Sequence, residues 1–136
     1  IHNGIIENYA TLKTELIKRG HEFRSDTDTE VLVHLIEDLQ VKGKLSFEEA
    51  VRAALAEVVG AYAIVILNKK EPNVLIGARK GSPMVIGVGE NEHFIASDAA
   101  PLIEYTKNVI YLNDGEVAII KNDSLVVKTI DNIVKT

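Results

Sequence analysis

Apolar residues open the chain at helical spacing: Ile5, Tyr9, Leu12 and Leu16 recur three and four apart, and Gly20 follows as a stop. Val31 to Leu39 repeats that period. Thr27-Asp28-Thr29-Glu30 precedes it in the form of a capping box, in which the Thr hydroxyl accepts from the amide three residues on and the Glu reaches back. Ser46-Phe47-Glu48-Glu49 has the same form and predicts a third helix, with Phe47, Val51, Ala54, Leu55 and Val58 on one face and Gly60 at its end.

After Gly60 the pattern changes to short β-rich runs split by turn residues. Strands are predicted over 61–67 and 73–78 around Lys69-Lys70-Glu71-Pro72, and over 84–88 and 93–97 around Gly89-Glu90-Asn91-Glu92. Two more, 109–112 and 116–121, are joined through Asn113-Asp114-Gly115, and Asn122-Asp123 leads to a last one over 125–129. Connectors of hairpin length imply antiparallel pairing, because parallel strands need crossovers of about a dozen residues or more. The run Ala61–Leu67 is apolar almost throughout, which suits a strand covered on both faces. Helices followed by antiparallel strands give an α+β class. No repeat or linker divides the chain, so 1–136 reads as one domain or a piece of one; the initial Ile1 suggests a fragment or a processed chain.

Composition narrows the chemistry. Hydrophobic residues at 46% and charged residues at 26% are ordinary globular values. Twenty acidic against fifteen basic residues leave a net charge of −5, which disfavours nucleic acid and anionic lipid as partners. The longest apolar run is far below the roughly 20 residues of a membrane span, so no membrane partner is expected and a cytoplasmic location is the default. With no cysteine, these residues supply no disulfide, no thiolate metal site and no cysteine nucleophile.

His2-Asn3-Gly4 reads first as a turn, since Asn-Gly tolerates positive φ. Its functional reading is an oxyanion hole: the Asn3 side-chain amide and the Gly4 N–H are two donors that could face one tetrahedral intermediate. In Ser25-Asp26-Thr27-Asp28-Thr29-Glu30, capping explains Thr27 and Glu30, while Asp28 at a helix start is either dipole compensation or a binder of an ammonium group. Lys80-Gly81-Ser82-Pro83 reads as a turn, and Ser82 lacks a Gly-x-Ser-x-Gly context for a nucleophile. Ser97-Asp98 reads as the cap of a short turn over 98–104. His2, His21, His34 and His93 show no metal-ligand spacing; His34 is expected to be packed or at the surface, and no metal is expected. Phosphate-loop motifs are absent.

Together, His2-Asn3-Gly4-Ile5-Ile6-Glu7-Asn8-Tyr9, Asp26-Thr27-Asp28-Thr29-Glu30, Ala78-Arg79-Lys80-Gly81-Ser82-Pro83-Met84-Val85-Ile86-Gly87 and Phe94-Ile95-Ala96-Ser97-Asp98 resemble the glutamine–fructose-6-phosphate aminotransferases (isomerizing; glucosamine-6-phosphate synthases). The likeness falls on the later part of their N-terminal class II glutamine amidotransferase domain. It implies a portion of the N-terminal-nucleophile hydrolase αββα sandwich, and a reaction in which an N-terminal cysteine thiolate attacks the glutamine amide to form a thioester. Released ammonia then aminates fructose 6-phosphate in a separate isomerase domain. Carried onto this chain, the resemblance makes Asn3 and Gly4 the oxyanion hole and Asp28 the partner of the glutamine α-ammonium, with no role for His2, Ser82 or Ser97 beyond scaffolding. It implies no cofactor and a homo-oligomeric full-length protein. The nucleophile and the glutamine-carboxylate ligands are expected upstream of Ile1 and the isomerase domain downstream of Thr136, so the chain by itself is expected to be inactive. Two alternatives stand beside this one: a class II amidotransferase with another ammonia acceptor, and a non-catalytic glutaminase-like binding domain.

Overall fold

The computed structural model describes residues 1–90, 92–122, 124–131 and 134–135; Asn91 and Asp123, from two of the expected turns, lie outside the described residues. The elements run β1 (His2–Ile6), α1 (Tyr9–Lys18), α2 (Asp28–Val41), α3 (Phe47–Glu57), β2 (Gly60–Asn68), β3 (Glu71–Lys80), β4 (Val85–Gly89), β5 (Glu92–Ala96), a 3₁₀ turn (Ala100–Leu102), β6 (Val109–Tyr111), β7 (Glu116–Lys121), β8 (Ser124–Thr129) and β9 (Val134–Lys135). They form two compact units, Ile5–Gly60 and Ile1–Gly4 with Ala61–Thr136. Three helices and antiparallel sheets make the class α+β, as expected. Among the described residues no helix is long and apolar enough to cross a membrane.

In the helical unit, α2 packs against both α1 and α3. Buried Val31, Leu32, Leu35 and Ile36 of α2 and Phe47, Ala50, Val51, Ala54 and Leu55 of α3 carry the predicted apolar faces. Each large side chain of this kind contributes about 1.5–3 kcal/mol when fully buried. Ser46 and Glu49 close a full capping box at the start of α3. At α2 the box is only half made. Thr27 Oγ1 accepts from the Glu30 amide, but the Glu30 carboxylate turns to the amides of Arg24 and Ser25 instead of to Thr27.

The first helix starts later than the spacing of Ile5 suggests. Ile5 and Ile6 finish β1, Ile6 is buried, and α1 begins only after Asn8. The cause is tertiary: Asn8 Nδ2 donates to Glu57 O at 2.8 Å and its Oδ1 accepts from Val59 N at 2.9 Å. The Glu7 amide also donates to Val59 O. These bonds hold the chain extended where local periodicity favours a helix.

In the other unit a six-stranded sheet has the order β1-β2-β3-β7-β8-β9 and a three-stranded sheet the order β5-β4-β6. The β2–β3, β4–β5 and β7–β8 hairpins are antiparallel, as the connector lengths imply. Ala63, Ala118 and Ile120 of the larger sheet and Met84 and Ile86 from the smaller sheet's side, with Leu112, form one buried cluster. Ala61–Leu67 meets its expectation only in its first half. Consecutive Tyr62, Ala63 and Ile64 are buried, so both faces are covered there, whereas Leu67 is exposed.

The segments 109–112 and 116–121 do not form a hairpin. β6 pairs with β4, and β7 pairs with β3 and β8, so Asn113-Asp114-Gly115 carries the chain from one sheet to the other. Polar bonds hold that crossing: Gly115 N donates to Arg79 O at 3.0 Å, and Glu116 Oε1, on a buried side chain, accepts from Asn113 N at 2.6 Å.

Candidate functional site

Asn3 and Gly4 lie in β1, so the Asn-Gly pair is not the turn its composition suggests. Its tolerance of positive φ is used nonetheless. Gly4 has φ +107°, and a Cβ there would stand 2.2 Å from the carbonyl oxygen of Ala61. No side chain fits both the backbone and the neighbour, which makes glycine obligatory at this point. Asn3 and Gly4 are both exposed. The start of the strand is anchored by reciprocal bonds between Ile1 and Val65.

In the same unit Arg79 organises the Gly81-Ser82 segment. Its Nε donates to Ser82 O at 2.7 Å, its Nη1 to Leu112 O at 2.9 Å, and its Nη2 meets Asp114 Oδ1 at 2.7 Å. Asp114 Oδ1 also accepts from Gly81 N at 2.8 Å. Ser82 therefore presents its carbonyl to a fixed guanidinium, in keeping with a scaffolding role. Tyr62 is buried with no hydrogen-bond partner for its hydroxyl among the described residues. Burial, and secondarily the nearby Asp114 carboxylate, push that phenol up to about 12. Sequence reasoning missed Arg79 and Asp114 as a pair. The available signals were an arginine one residue from the end of a strand and an Asp inside a turn, and only the fold joins them.

In the helical unit Asp28 is the first residue of α2, half-buried, and its Oδ2 accepts from the Ile6 amide at 2.8 Å. The helix dipole favours a carboxylate at this end. Glu30 organises the loop before it: its carboxylate accepts from Arg24 N, Ser25 N and Ser25 Oγ, and lies 3.0 Å from His34 Nε2. The Ser25 hydroxyl, followed by the Arg24 amide, holds Glu30 down at about 2. Glu30 is thus more than the capping residue its motif suggests. The turn expected over 98–104 with Ser97-Asp98 as its cap is shorter: a 3₁₀ turn spans Ala100–Leu102 with Ala99 at its cap position and no side-chain cap bond, and Asp98 Oδ1 accepts from Ala100 N at 3.3 Å. Asn3 and Gly4 belong to one unit and Asp28 to the other.

Histidine spacing in the sequence gives no hint of a cluster, yet His21 and His34 meet, with Glu37 beside them. His34 is half-buried between Phe23 and His21, close to the packed position expected of it.

A family profile described as a glutamine amidotransferase domain matches residues 1–104. The chain belongs to the glutamine amidotransferase domain family. Within this family it is similar to the glutamine–fructose-6-phosphate aminotransferase [isomerizing] of Chlorobaculum tepidum, 56% identical over 134 residues, and to that of Bacteroides thetaiotaomicron, 54% identical over 137 residues. These matches cover 98% and 100% of the chain but 22% of each relative, so the chain spans about a fifth of their length. Among solved structures, the glutamine phosphoribosylpyrophosphate amidotransferase from B. subtilis, complexed with ADP and GMP, matches with a TM-score of 0.82 at 26% identity, covering 98% of this chain and 29% of that one. A structure titled as the allosteric regulatory enzyme of purine biosynthesis matches with a TM-score of 0.81 at 27% identity, covering 95% and 27%. The fold is that of a portion of the N-terminal-nucleophile type amidotransferases, and the family resemblance read from the motifs holds along the chain.

Proposed function

We propose that the chain is part of the glutaminase domain of a glutamine–fructose-6-phosphate aminotransferase, with Asn3 and Gly4 as oxyanion donors and Asp28 as the ligand of the glutamine α-ammonium. The observation that carries the reading is Gly4: a strand glycine at φ +107° with no room for a Cβ, beside an exposed Asn3. A backbone fixed in that way offers its N–H without rearrangement, which is what electrostatic stabilisation of a developing oxyanion requires. The roughly twofold higher identity to the glutamine–fructose-6-phosphate aminotransferases than to the glutamine phosphoribosylpyrophosphate amidotransferase supports fructose 6-phosphate as the ammonia acceptor.

The chemistry runs in three steps. A cysteine thiolate supplied outside these 136 residues, which hold no cysteine, attacks the glutamine carboxamide carbon, and the carbonyl oxygen becomes an oxyanion held by the Asn3 Nδ2–H and Gly4 N–H groups. The amide nitrogen takes a proton from the α-amino group of that N-terminal cysteine, and collapse breaks the C–N bond to release ammonia and leave a γ-glutamyl thioester. Water then adds through a second oxyanion at the same donors, and its collapse releases glutamate and the cysteine thiol. Asp28, negatively charged at a helix start, accepts from the glutamine ammonium throughout. Ammonia is consumed by an isomerase domain elsewhere in the protein. The full-length protein is taken as a homo-oligomer of the cytoplasm that uses no cofactor, nucleic acid or membrane in this reaction, and the 136 residues alone are inactive.

The test is Asn3→Ala in the full-length protein. Loss of one oxyanion donor costs roughly 3 kcal/mol, a fall of about 10²–10³ in glutaminase kcat. An unchanged kcat for ammonia release would remove Asn3 from the site.

A further inference from the structure

His21 follows the end of α1, and His34 stands on α2 within the helical unit. Their rings are 5.0 Å apart at 80°, with the two Nδ1 atoms facing each other at 3.0 Å. On the far side of each ring the other nitrogen meets a carboxylate: His21 Nε2 lies 3.0 Å from Asp38 Oδ1, and His34 Nε2 lies 3.0 Å from Glu30 Oε2. A carboxylate accepts, so each neutral imidazole places its single proton on Nε2. Each Nδ1 is then left with a lone pair aimed at the other. Two lone pairs at that distance repel, so the contact takes either a proton on one Nδ1 donated to the other or a metal ion that both nitrogens bind.

A third ligand is at hand. Glu37 Oε2 lies 4.0 Å from His34 Nδ1, and the donor atoms of His21, His34 and Glu37 all fall within 4.8 Å of one another. Zinc bonds of about 2.0–2.1 Å at a tetrahedral angle put two nitrogens roughly 3.3 Å apart, close to the spacing already present. The outer carboxylates also fit. Metal-bound histidines characteristically donate their second N–H to a carboxylate that sets tautomer and ring orientation. Here Asp38 is itself buried and held by Arg19 Nη1 at 2.7 Å, while Glu30 is held by the loop at Arg24 and Ser25.

We propose that His21 Nδ1, His34 Nδ1 and the Glu37 carboxylate form a binding site for a divalent transition-metal ion of the zinc class. Exposed Glu37 leaves the site open to solvent, so water completes the coordination. The ion ties the segment after α1 to α2, the helix whose first residue is Asp28, and its role is structural. The site does not depend on the glutaminase assignment.

The experiment uses the full-length protein, stripped with a chelator and titrated with Zn²⁺ by calorimetry and with Co²⁺ by its visible d–d absorption. One equivalent of binding is expected that disappears in His34→Ala and weakens tenfold or more in Glu37→Gln. Glu37 is exposed, so that variant keeps the fold; its thermal midpoint without metal should match the parent's, while zinc raises the parent's midpoint more. If the stripped parent binds neither ion, the cation between the rings is a proton and the proposal falls. Equal affinity and stoichiometry in the parent, His34→Ala and Glu37→Gln would overturn it as well.

Discussion

The helical unit and the sheet unit satisfy their backbone groups by different means, and the difference decides what each reveals in sequence. In residues 5–60 the unpaired amides at helix starts are met by nearby side chains: Ser46 with Glu49 at α3, and Thr27 at α2. A helix leaves four N–H groups open at its start, so the residues that close them must lie within a turn or so. In the sheet unit the ladders close most of the groups, and polar side chains gather at the connections, as Arg79, Asp114 and Glu116 do. The strand that completes a ladder can come from anywhere in the chain. Local sequence therefore names capped helix starts well and strand partners poorly.

The largest effect is expected at Gly4, where a strand depends on one residue's local freedom. Gly4→Ala should lower stability by more than about 3 kcal/mol, since an unfavourable φ alone costs about 1–3 kcal/mol and the 2.2 Å approach to Ala61 O adds a steric clash. A denaturant midpoint within error of the parent's would show that the strand can adjust, contrary to this account.

Next is Asp28, a helix-start residue proposed to bind the glutamine ammonium. Asp28→Asn keeps an oxygen for the Ile6 amide but removes the charge. Loss of a charge-assisted hydrogen bond of about 1.5–3 kcal/mol should raise the KM for glutamine roughly ten- to a hundredfold with little change in kcat. If kcat falls and KM does not move, Asp28 acts elsewhere.

Smaller effects separate the two helix caps. Ser46→Ala should cost about 1 kcal/mol, because it opens a reciprocal box. Thr27→Ala should cost less, since Glu30 is held by Arg24 and Ser25 and keeps the loop in place. Chemical denaturation of both variants checks the order; the reverse order would mean that the Glu30 network depends on Thr27.

The smallest effect is expected at Tyr62, in the sheet unit. Its buried hydroxyl has no partner among the described residues, so Tyr62→Phe should be neutral or slightly stabilising, within about 1 kcal/mol. The alkaline limb sharpens the test. A phenol raised to about 12 in the fold keeps its contribution below pH 10 and loses it as pH rises through 12, because the unfolded chain releases the proton first. Tyr62→Phe should flatten that part of the stability–pH curve, and an unaltered slope would place the titration on another group.

Much of the candidate site was legible because its chemistry sits in contiguous segments. Asn3 with Gly4, and Asp28 at a capped helix start, stand in motifs of the family resemblance, and that resemblance gives them their proposed roles. What they do to the backbone was less so. The Asn-Gly pair serves a strand and not a turn, and the first helix yields to Asn8, whose partners lie about fifty residues on at Glu57 and Val59. The Arg79–Asp114 pair and the His21–His34 contact have the same cause, since each joins residues with no periodic relation.

Local pattern alone identifies the apolar faces of the second and third helices, the caps that begin them, the α+β class and the family to which the motifs belong. All of these depend on interactions within a few residues, or on motifs kept as contiguous words. Tertiary structure alone decided that β6 joins β4 while β7 joins β3, that β1 is a strand, and that two histidines face each other across a 3.0 Å gap. Those choices rest on which distant backbone and side-chain groups satisfy one another. That selection is a property of the folded packing, and no local pattern encodes it.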